Sequence, residues 1–368
     1  MLNRLTIKNF KCFESLDIEL SNLNVFAGIN SMGKSSVIQA ILLLRQSYDM
    51  GTIDKGLHLN GELTQIGTGH DLLFRNSERD EVAVELAVDS DVFTWKYKYQ
   101  GGSDYQKIDS TNITPDSIKK INVFGSAFSY ISAERIGPQR YYKQSYHEIY
   151  DRNHVGFKGE LFADYLAKRG LDDKVQNKNV LFDNETSENL IYQTEKWLSI
   201  ISPGIHIHPK QYNEAGLVGI EYKVYGSDYT PVNVGFGLSY SVPIIVSLLK
   251  ARKGDLVIIE NPEAHLHPRG QRKMGELIAR TSAGGVQVII ETHSDHILNG
   301  IRLCVRKGEI SNKNVRLNYF YQEDISDLFL GERVMHKKSS PVILSDGSLS
   351  EWPDGFFDEW DRALEELF

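Results

Sequence analysis

The sequence predicts an α/β protein with a mixed, largely parallel central sheet, an antiparallel β subdomain and an inserted α-rich subdomain. Three observations carry this. First, residues 255–306 alternate short apolar runs with helical spacing: strand 255–260, helix 269–282, strand 286–291, helix 294–306. That rhythm implies parallel strands joined by crossover helices. Second, the period switches to two over 81–99, where Val82, Val84, Leu86 and Val88, then Phe93, Trp95, Tyr97 and Tyr99, alternate across an Asp-Ser-Asp turn. This is the pattern of an antiparallel hairpin. Third, residues 104–215 are polar and rich in Tyr, Lys, Asn and Asp, with helices expected only at 158–169 and near 187–201. That composition reads as an insertion of lower regularity.

Taken in order, RLTIKNF, ESLDIEL and LNVFAG form three strands, the last an apolar run suited to burial on both faces. A glycine-bounded loop follows. Then Ser35 to Gln46 presents Val37, Ile38, Ile41, Leu42 and Leu44 as a broad helical face. Val218, Ile220, Tyr222 and Val224 alternate as another strand, and helical spacing runs from Ser239 to Ala251. After strand 315–321, the tail closes on a helix expected to gather Phe356, Phe357, Trp360, Ala363, Leu364 and Leu367 on one face.

Bulk properties narrow the function classes. Of the 368 residues, 41% are hydrophobic and 24% charged, as in a soluble globular protein. Cys12 and Cys304 form no C-x-x-C pair, which fits a reducing cytoplasm rather than a disulfide framework. No apolar run reaches the roughly 20 residues of a bilayer span or resembles a signal peptide, so neither membrane nor export is expected. The net charge of −8 advertises no global affinity for nucleic acid.

The chemistry concentrates in four places. Residues 28–35, GINSMGKS, match G-x-x-x-x-G-K-[ST] in full. Such a loop turns successive backbone N–H groups towards phosphate oxygens, its lysine reaches the β- and γ-phosphates, and its hydroxyl ligates Mg²⁺. Asn30, Ser31, Gly33, Lys34, Ser35 and Ser36 are therefore candidate nucleotide-binding residues, with Ser35 also a metal ligand. Strand 255–260 ends in Glu260-Asn261-Pro262-Glu263. In a parallel sheet its exit and the phosphate loop share the C-terminal edge, where ligands bind. Glu260 is placed to touch the magnesium ion or its water. Asn261 is uncharged and can orient a water but not deprotonate it, whereas Glu263 could serve as base if the Pro262 turn swings it inward. His293, in ETHSDH, could hydrogen-bond a γ-phosphate. The spacings of His265, His267, His293 and His296 do not suit a transition-metal site. In NVGFGLS, Gly237 and Ser239 open a helix and could cradle an anion, for geometric reasons the nucleotide of a second chain. The stretch YISAERIGPQRYYKQSY at 130–146 fits an ordered loop packed on the core or a nucleic-acid contact through Arg135, Arg140 and Lys143.

IKNFKCFESLDIEL, GINSMGKSS, NVGFGLS, ENPEAHLHP and ETHSDH occur in the order found in ABC-type ATPases. The chain resembles in particular the chromosome-maintenance (SMC) and OLD (overcoming lysogenization defect) ATPases within the AAA class. Its end, EWPDGFFDEW, is similar to the C-terminal segment of a family of bacterial predicted ATPases with an uncharacterised C-terminal domain. The resemblance implies an ABC-type P-loop ATPase head built from 1–103 and 216–320, the insertion 104–215 and a family-specific segment 321–368. It implies ATP and Mg²⁺ as cofactors, with Lys34 and Ser35 on phosphates and metal, and Glu260 on the magnesium side. It also implies Gly237 with Ser239 as the signature, His293 as the switch histidine, and Gln65 as a candidate for the metal-side glutamine. The catalytic glutamate of such enzymes falls on Asn261, so slow hydrolysis is expected.

The same resemblance implies a cytoplasmic homodimer closed around ATP, with higher oligomers open. A separate effector, a nuclease or toxin, is its expected partner in bacterial anti-phage defence. Fewer than fifty residues follow strand 315–321, with no D-x-D pair, so no nuclease activity is expected in this chain. An ATP-dependent DNA clamp of recombination or repair and a non-hydrolysing nucleotide scaffold stand as alternatives.

Overall fold

Period-two segments flanking the phosphate loop become a six-stranded antiparallel sheet in the computed structural model, which describes residues 1–182, 187–327 and 331–367. The strand order is Phe13–Glu19, Leu2–Phe10, Glu81–Val88, Asp91–Lys98, Tyr105–Thr111, Gly56–His58. The hairpin closes with Val88 opposite Asp91, and Asp89 takes φ 55°, a left-handed conformation that a short polar residue tolerates. The chain separates into two units. One comprises Met1–Gly125, Arg316–Val342 and Glu351–Phe368, the other Ser126–Val315 and Ile343–Ser350.

In the first unit, Leu23–Gly28 runs into the phosphate loop and helix Lys34–Asp49. Val37, Ile38, Ile41 and Leu44 are fully buried on that helix. Each such side chain contributes about 1.5–3 kcal/mol on burial. Val315–Asp327 lies beside Leu23–Gly28 and pairs antiparallel with Gly331–Ser339, starting with Tyr319 opposite Ser339.

In the second unit, Leu256–Glu260 pairs in parallel with Gln287–Glu291 on one side and Ser129–Ile131 on the other. Helices Phe236–Lys250, Pro268–Ala283 and Asp295–Arg306 belong to the same unit. A smaller antiparallel sheet joins Ile205–Tyr212, Leu217–Val224 and Ser227–Tyr229, with Tyr142–Lys143 on the second of these. Helices Phe162–Arg169 and Leu190–Leu198 complete this part.

Several strands carry no readable pattern in the sequence. Tyr105–Thr111, Ser129–Ile131 and Ile205–Tyr212 all lie where irregular or helical chain is expected. Gln106, wholly buried, replaces an apolar residue by bonding its amide to the backbone of Gln100, which hides the alternation. The tail also departs from expectation. Its helix spans Glu359–Leu367, so Phe356 and Phe357 precede it in a turn instead of sharing its face. The Trp360 side chain lies outside the described residues.

Candidate functional site

In the first unit the phosphate loop depends on two close approaches. A Cβ at Gly28 would stand 2.3 Å from the Phe320 carbonyl oxygen, and one at Gly33 only 2.4 Å from the Phe13 ring. Both glycines have positive φ, 140° and 97°. Gly33 is the N-cap of helix Lys34–Asp49, whose first turn holds no acidic residue, so the positive end of its dipole is not neutralised there. Asn30, Ser31 and Ser35 are exposed and Ser36 half-buried. Lys34 is 3% exposed and donates from Nζ to the carbonyls of Gly28 (2.8 Å) and Ile29 (2.7 Å). The structure thus holds the ammonium across the mouth of the loop, where an anion would exchange for two carbonyl dipoles. Gln65 is exposed and bridged to Asn60, on a turn organised by Gln46, whose amide bonds the backbone of His58, Leu63 and Thr64.

In the second unit, parallel pairing places Glu260 beside Glu291, which brings the ENPE and THS turns out at one sheet edge. Arg135 organises that edge. It is 4% exposed and donates to the carbonyls of Glu260 (2.7 Å) and Asn261 (2.6 Å). Burial pushes its pKa down to about 10. Arg135 is therefore packed against the core, whereas Arg140, Tyr141 and Lys143 from the same stretch are exposed. The Glu260 carboxylate accepts the Ala133 N–H at 3.0 Å and bonds the Tyr130 hydroxyl. Burial nonetheless raises its pKa above the ordinary carboxylate range, against the lowering from those bonds and from Arg135.

Asn261 adopts φ 46° and donates its N–H to the Glu291 carbonyl at 2.8 Å. Its side-chain Oδ1 is buried without a protein partner. Glu263 has the opposite situation. One carboxylate oxygen accepts from the Thr292 hydroxyl and the other from the His293 N–H, both at 2.7 Å. A carboxylate engaged in this way fixes the THS turn, and His293 leaves that turn exposed.

The NVGFGLS segment packs on the acidic turn. A Cβ on Gly237 would lie 2.7 Å from the His265 carbonyl oxygen, and the rings of Tyr240 and Phe236 sit 4.5 and 5.7 Å from the His265 ring. Gly237 is thus needed for this contact whatever else it does. Ser239 is wholly buried beside Tyr142 and Tyr222. That position does not present its hydroxyl to a second chain, and the exposed members of the motif are Asn233, Gly235 and Phe236. His267 caps helix Pro268–Ala283 by accepting the Arg269 N–H.

Sequence reasoning missed Tyr130, Ala133 and Arg135 as the cage around Glu260, and the Phe13 ring behind Gly33. Strand Ser129–Ile131, three residues long, gives no periodic signal, and only the buried-arginine pattern A-E-R-I hints at an anchor. Among the described residues, no helix is long and apolar enough to cross a membrane, and no group of three His, Cys, Asp or Glu side chains could hold a metal.

This fold is that of an SMC head, and it carries the phosphate loop of a nucleotide-binding domain. The chain belongs to the family described as "AAA domain, putative AbiEii toxin, Type IV TA system", which it matches over residues 23–299. Residues 310–367 match "Protein of unknown function (DUF3696)". The Old nuclease of Escherichia phage P2 is 25% identical over 407 residues, covering 95% of this chain and 65% of that protein. The chain thus spans just under two thirds of that relative's length. Among solved structures, an SMC head bound to the C-winged helix domain of ScpA superposes with a TM-score of 0.56 at 14% identity, covering 93% of this chain and 98% of that one. An Smc head domain with an extended coiled coil, bound to the C-terminal domain of ScpA derived from Pyrococcus furiosus, gives 0.51 at 13% identity, covering 100% and 99%.

Proposed function

We propose that this ATPase binds Mg–ATP on the 28–35 loop, hydrolyses it slowly and uses the bound nucleotide as a switch. In this reading Asn30, Ser31, Gly33, Lys34, Ser35 and Ser36 hold the triphosphate. Lys34 leaves the two carbonyls it now engages for the β- and γ-phosphates. Ser35 and Glu260 are hard oxygen donors of the kind magnesium takes, and Gln65 is a further candidate on that side. The metal, when bound, would screen the charge that develops on the phosphoryl oxygens. Asn261 orients the attacking water through Oδ1, His293 contacts the γ-phosphate, and Glu263 holds the His293 turn.

The observation carrying this reading is the Asn261 side chain, an acceptor buried without a partner next to an ionisable Glu260. An uncharged acceptor can position a water but cannot remove its proton, so turnover is slow and the ATP-bound state persists. Such a state suits a switch: two copies closed around ATP by their loops and glycine-rich segments, releasing on hydrolysis. The family description names a toxin, and a relative is named a nuclease. These two names are the ground for proposing a role in anti-phage defence with a separate nuclease or toxin as effector. Single-turnover hydrolysis tests the chemistry. Asn261→Asp, which supplies a carboxylate at this position, should accelerate it, and an unchanged rate would remove Asn261 from the reaction.

A second reading rests on the exposure of Arg140, Tyr141 and Lys143, a basic and aromatic surface of the sort that contacts nucleic acid. It expects ATP-dependent, salt-sensitive DNA binding that falls when Arg140 and Lys143 are both neutralised.

A further inference from the structure

The C-terminal segment builds a cavity of about 580 Å³ within the first unit. Its walls come from the stretch 351–355, from strands Val315–Asp327 and Gly331–Ser339, and from two phosphate-loop side chains, Ile29 and Met32. The turn is closed by the Phe356 N–H on the Pro353 carbonyl at 2.9 Å. Gly355, at φ 76°, lets it press against the strand, since a Cβ there would meet the Tyr319 hydroxyl at 2.7 Å. That hydroxyl donates to the Asp354 carbonyl at 2.9 Å, and Phe356 is buried with its ring edge-on to Tyr319. The sequence W-P-D-G-F-F-D is therefore accounted for as a wall fastened to the strand.

The wall faces a lining of one chemical character. The rings of Tyr319 and Tyr321 are nearly parallel, 15° apart in plane with centroids 6.0 Å apart. Trp352 is 52% exposed on the rim although it is a large apolar side chain. Ser339 lines the cavity with its hydroxyl buried and unpartnered, and Gln322 offers an amide. The cation at the rim, Arg362, is engaged by Asp354 and Asp358, and Glu351 adds negative charge, so the cavity is not built for phosphate. Its volume falls in the range of about 300–1,000 Å³ usual for small-ligand sites.

We propose that this cavity binds a planar heteroaromatic ring of the nucleobase class, stacked on the Tyr321 and Trp352 walls and hydrogen-bonded by Ser339 and Gln322. Stacking accepts any flat π-face, and a ring nitrogen or exocyclic amine satisfies the Ser339 hydroxyl that the protein leaves unmet. Occupancy is felt by the phosphate loop. Ile29 and Met32 are in the wall, and His336 Nε2 lies 3.0 Å from the Gln322 amide nitrogen and 3.2 Å from the Ser31 carbonyl oxygen, linking the cavity to the loop. The ring can arrive as the base of the loop-bound nucleotide, which rests on the ATP reading above, or as a separate nucleoside.

The test titrates the full chain with adenosine, ATP and inorganic tripolyphosphate by calorimetry, in wild type, Trp352→Ala, Trp352→Phe, Gln322→Ala and Lys34→Ala. Loss of one stacked ring should weaken binding about tenfold in Trp352→Ala, and Trp352→Phe should restore most of it. If the site takes the base of the same nucleotide, ATP weakens in Trp352→Ala while tripolyphosphate does not. If it takes a separate nucleoside, adenosine binds wild type and Lys34→Ala alike. Adenosine binding that depends on Trp352 in a protein that never binds ATP would sink the ATP reading and leave this site standing. The proposal is overturned if adenosine does not bind and ATP affinity is the same in wild type, Trp352→Ala and Gln322→Ala.

Discussion

Asn261 shows how one position can answer to backbone and chemistry together. Strand Leu256–Glu260 leaves the sheet through a residue at φ 46°, where asparagine is among the few residues accommodated without large strain. A glutamate there would face a left-handed penalty of about 1–2 kcal/mol. Asn261→Glu should therefore lower the melting temperature even as it raises single-turnover hydrolysis, while Asn261→Asp should gain rate with less loss. No rate gain in either variant would assign the water to another group. Glu260 gives a pH signature. Its pKa is raised by burial, so the ionised form that a metal needs is lost as pH falls through that raised value. The same shift means the folded state holds its proton more tightly than the unfolded chain, so this group's contribution to stability diminishes as pH rises through the same window. Magnesium-dependent ATP affinity should fall on acidification, and Glu260→Gln should remove that part of the profile. Identical profiles would take Glu260 off the metal.

At the scale of elements, the close approaches at Gly28, Gly33 and Gly237 and the Glu263 clamp decide whether the loops stay in place. Gly237→Ala places a methyl 2.7 Å from the His265 carbonyl and must push helix Phe236–Lys250 away from the acidic turn. A cost of about 1–3 kcal/mol is expected, read as a lowered melting midpoint. Glu263→Ala leaves the buried Thr292 hydroxyl and the His293 N–H without their acceptor, again about 1–3 kcal/mol, with hydrolysis falling because the turn loosens. Retained stability and activity in Glu263→Ala would contradict the clamp.

The elements that the sequence announces are those whose burial follows one period. The hairpin 81–98, helix 34–49 and the two parallel strands around 256–291 appear within a few residues of expectation. Strand 105–111 stays hidden because buried Gln106 breaks the period, 129–131 because it is only three residues long, and 205–212 because its alternation stops at Pro209 after two repeats of Ile and His. The residues around Glu260 are illegible for a related reason: Ala133 and Arg135 meet it across 127 and 125 residues of sequence, and Tyr130 from further still. Sequence could suggest Glu263 as a base. Only the structure reveals that both its oxygens are committed to the neighbouring turn.

For the whole molecule, one unit carries the phosphate loop and the other the acidic edge with Asn261. In the function proposed above, closure of two chains around the nucleotide is what reads the ATP state. The decisive measurement is the solution mass of the purified protein by light scattering, without nucleotide, with ADP and with Mg–ATP, alongside Lys34→Ala. The account predicts a shift to dimer mass with Mg–ATP, its absence in Lys34→Ala, and slow reversal as ATP is consumed. Monomer mass under every condition, in a folded protein that binds ATP, would contradict it.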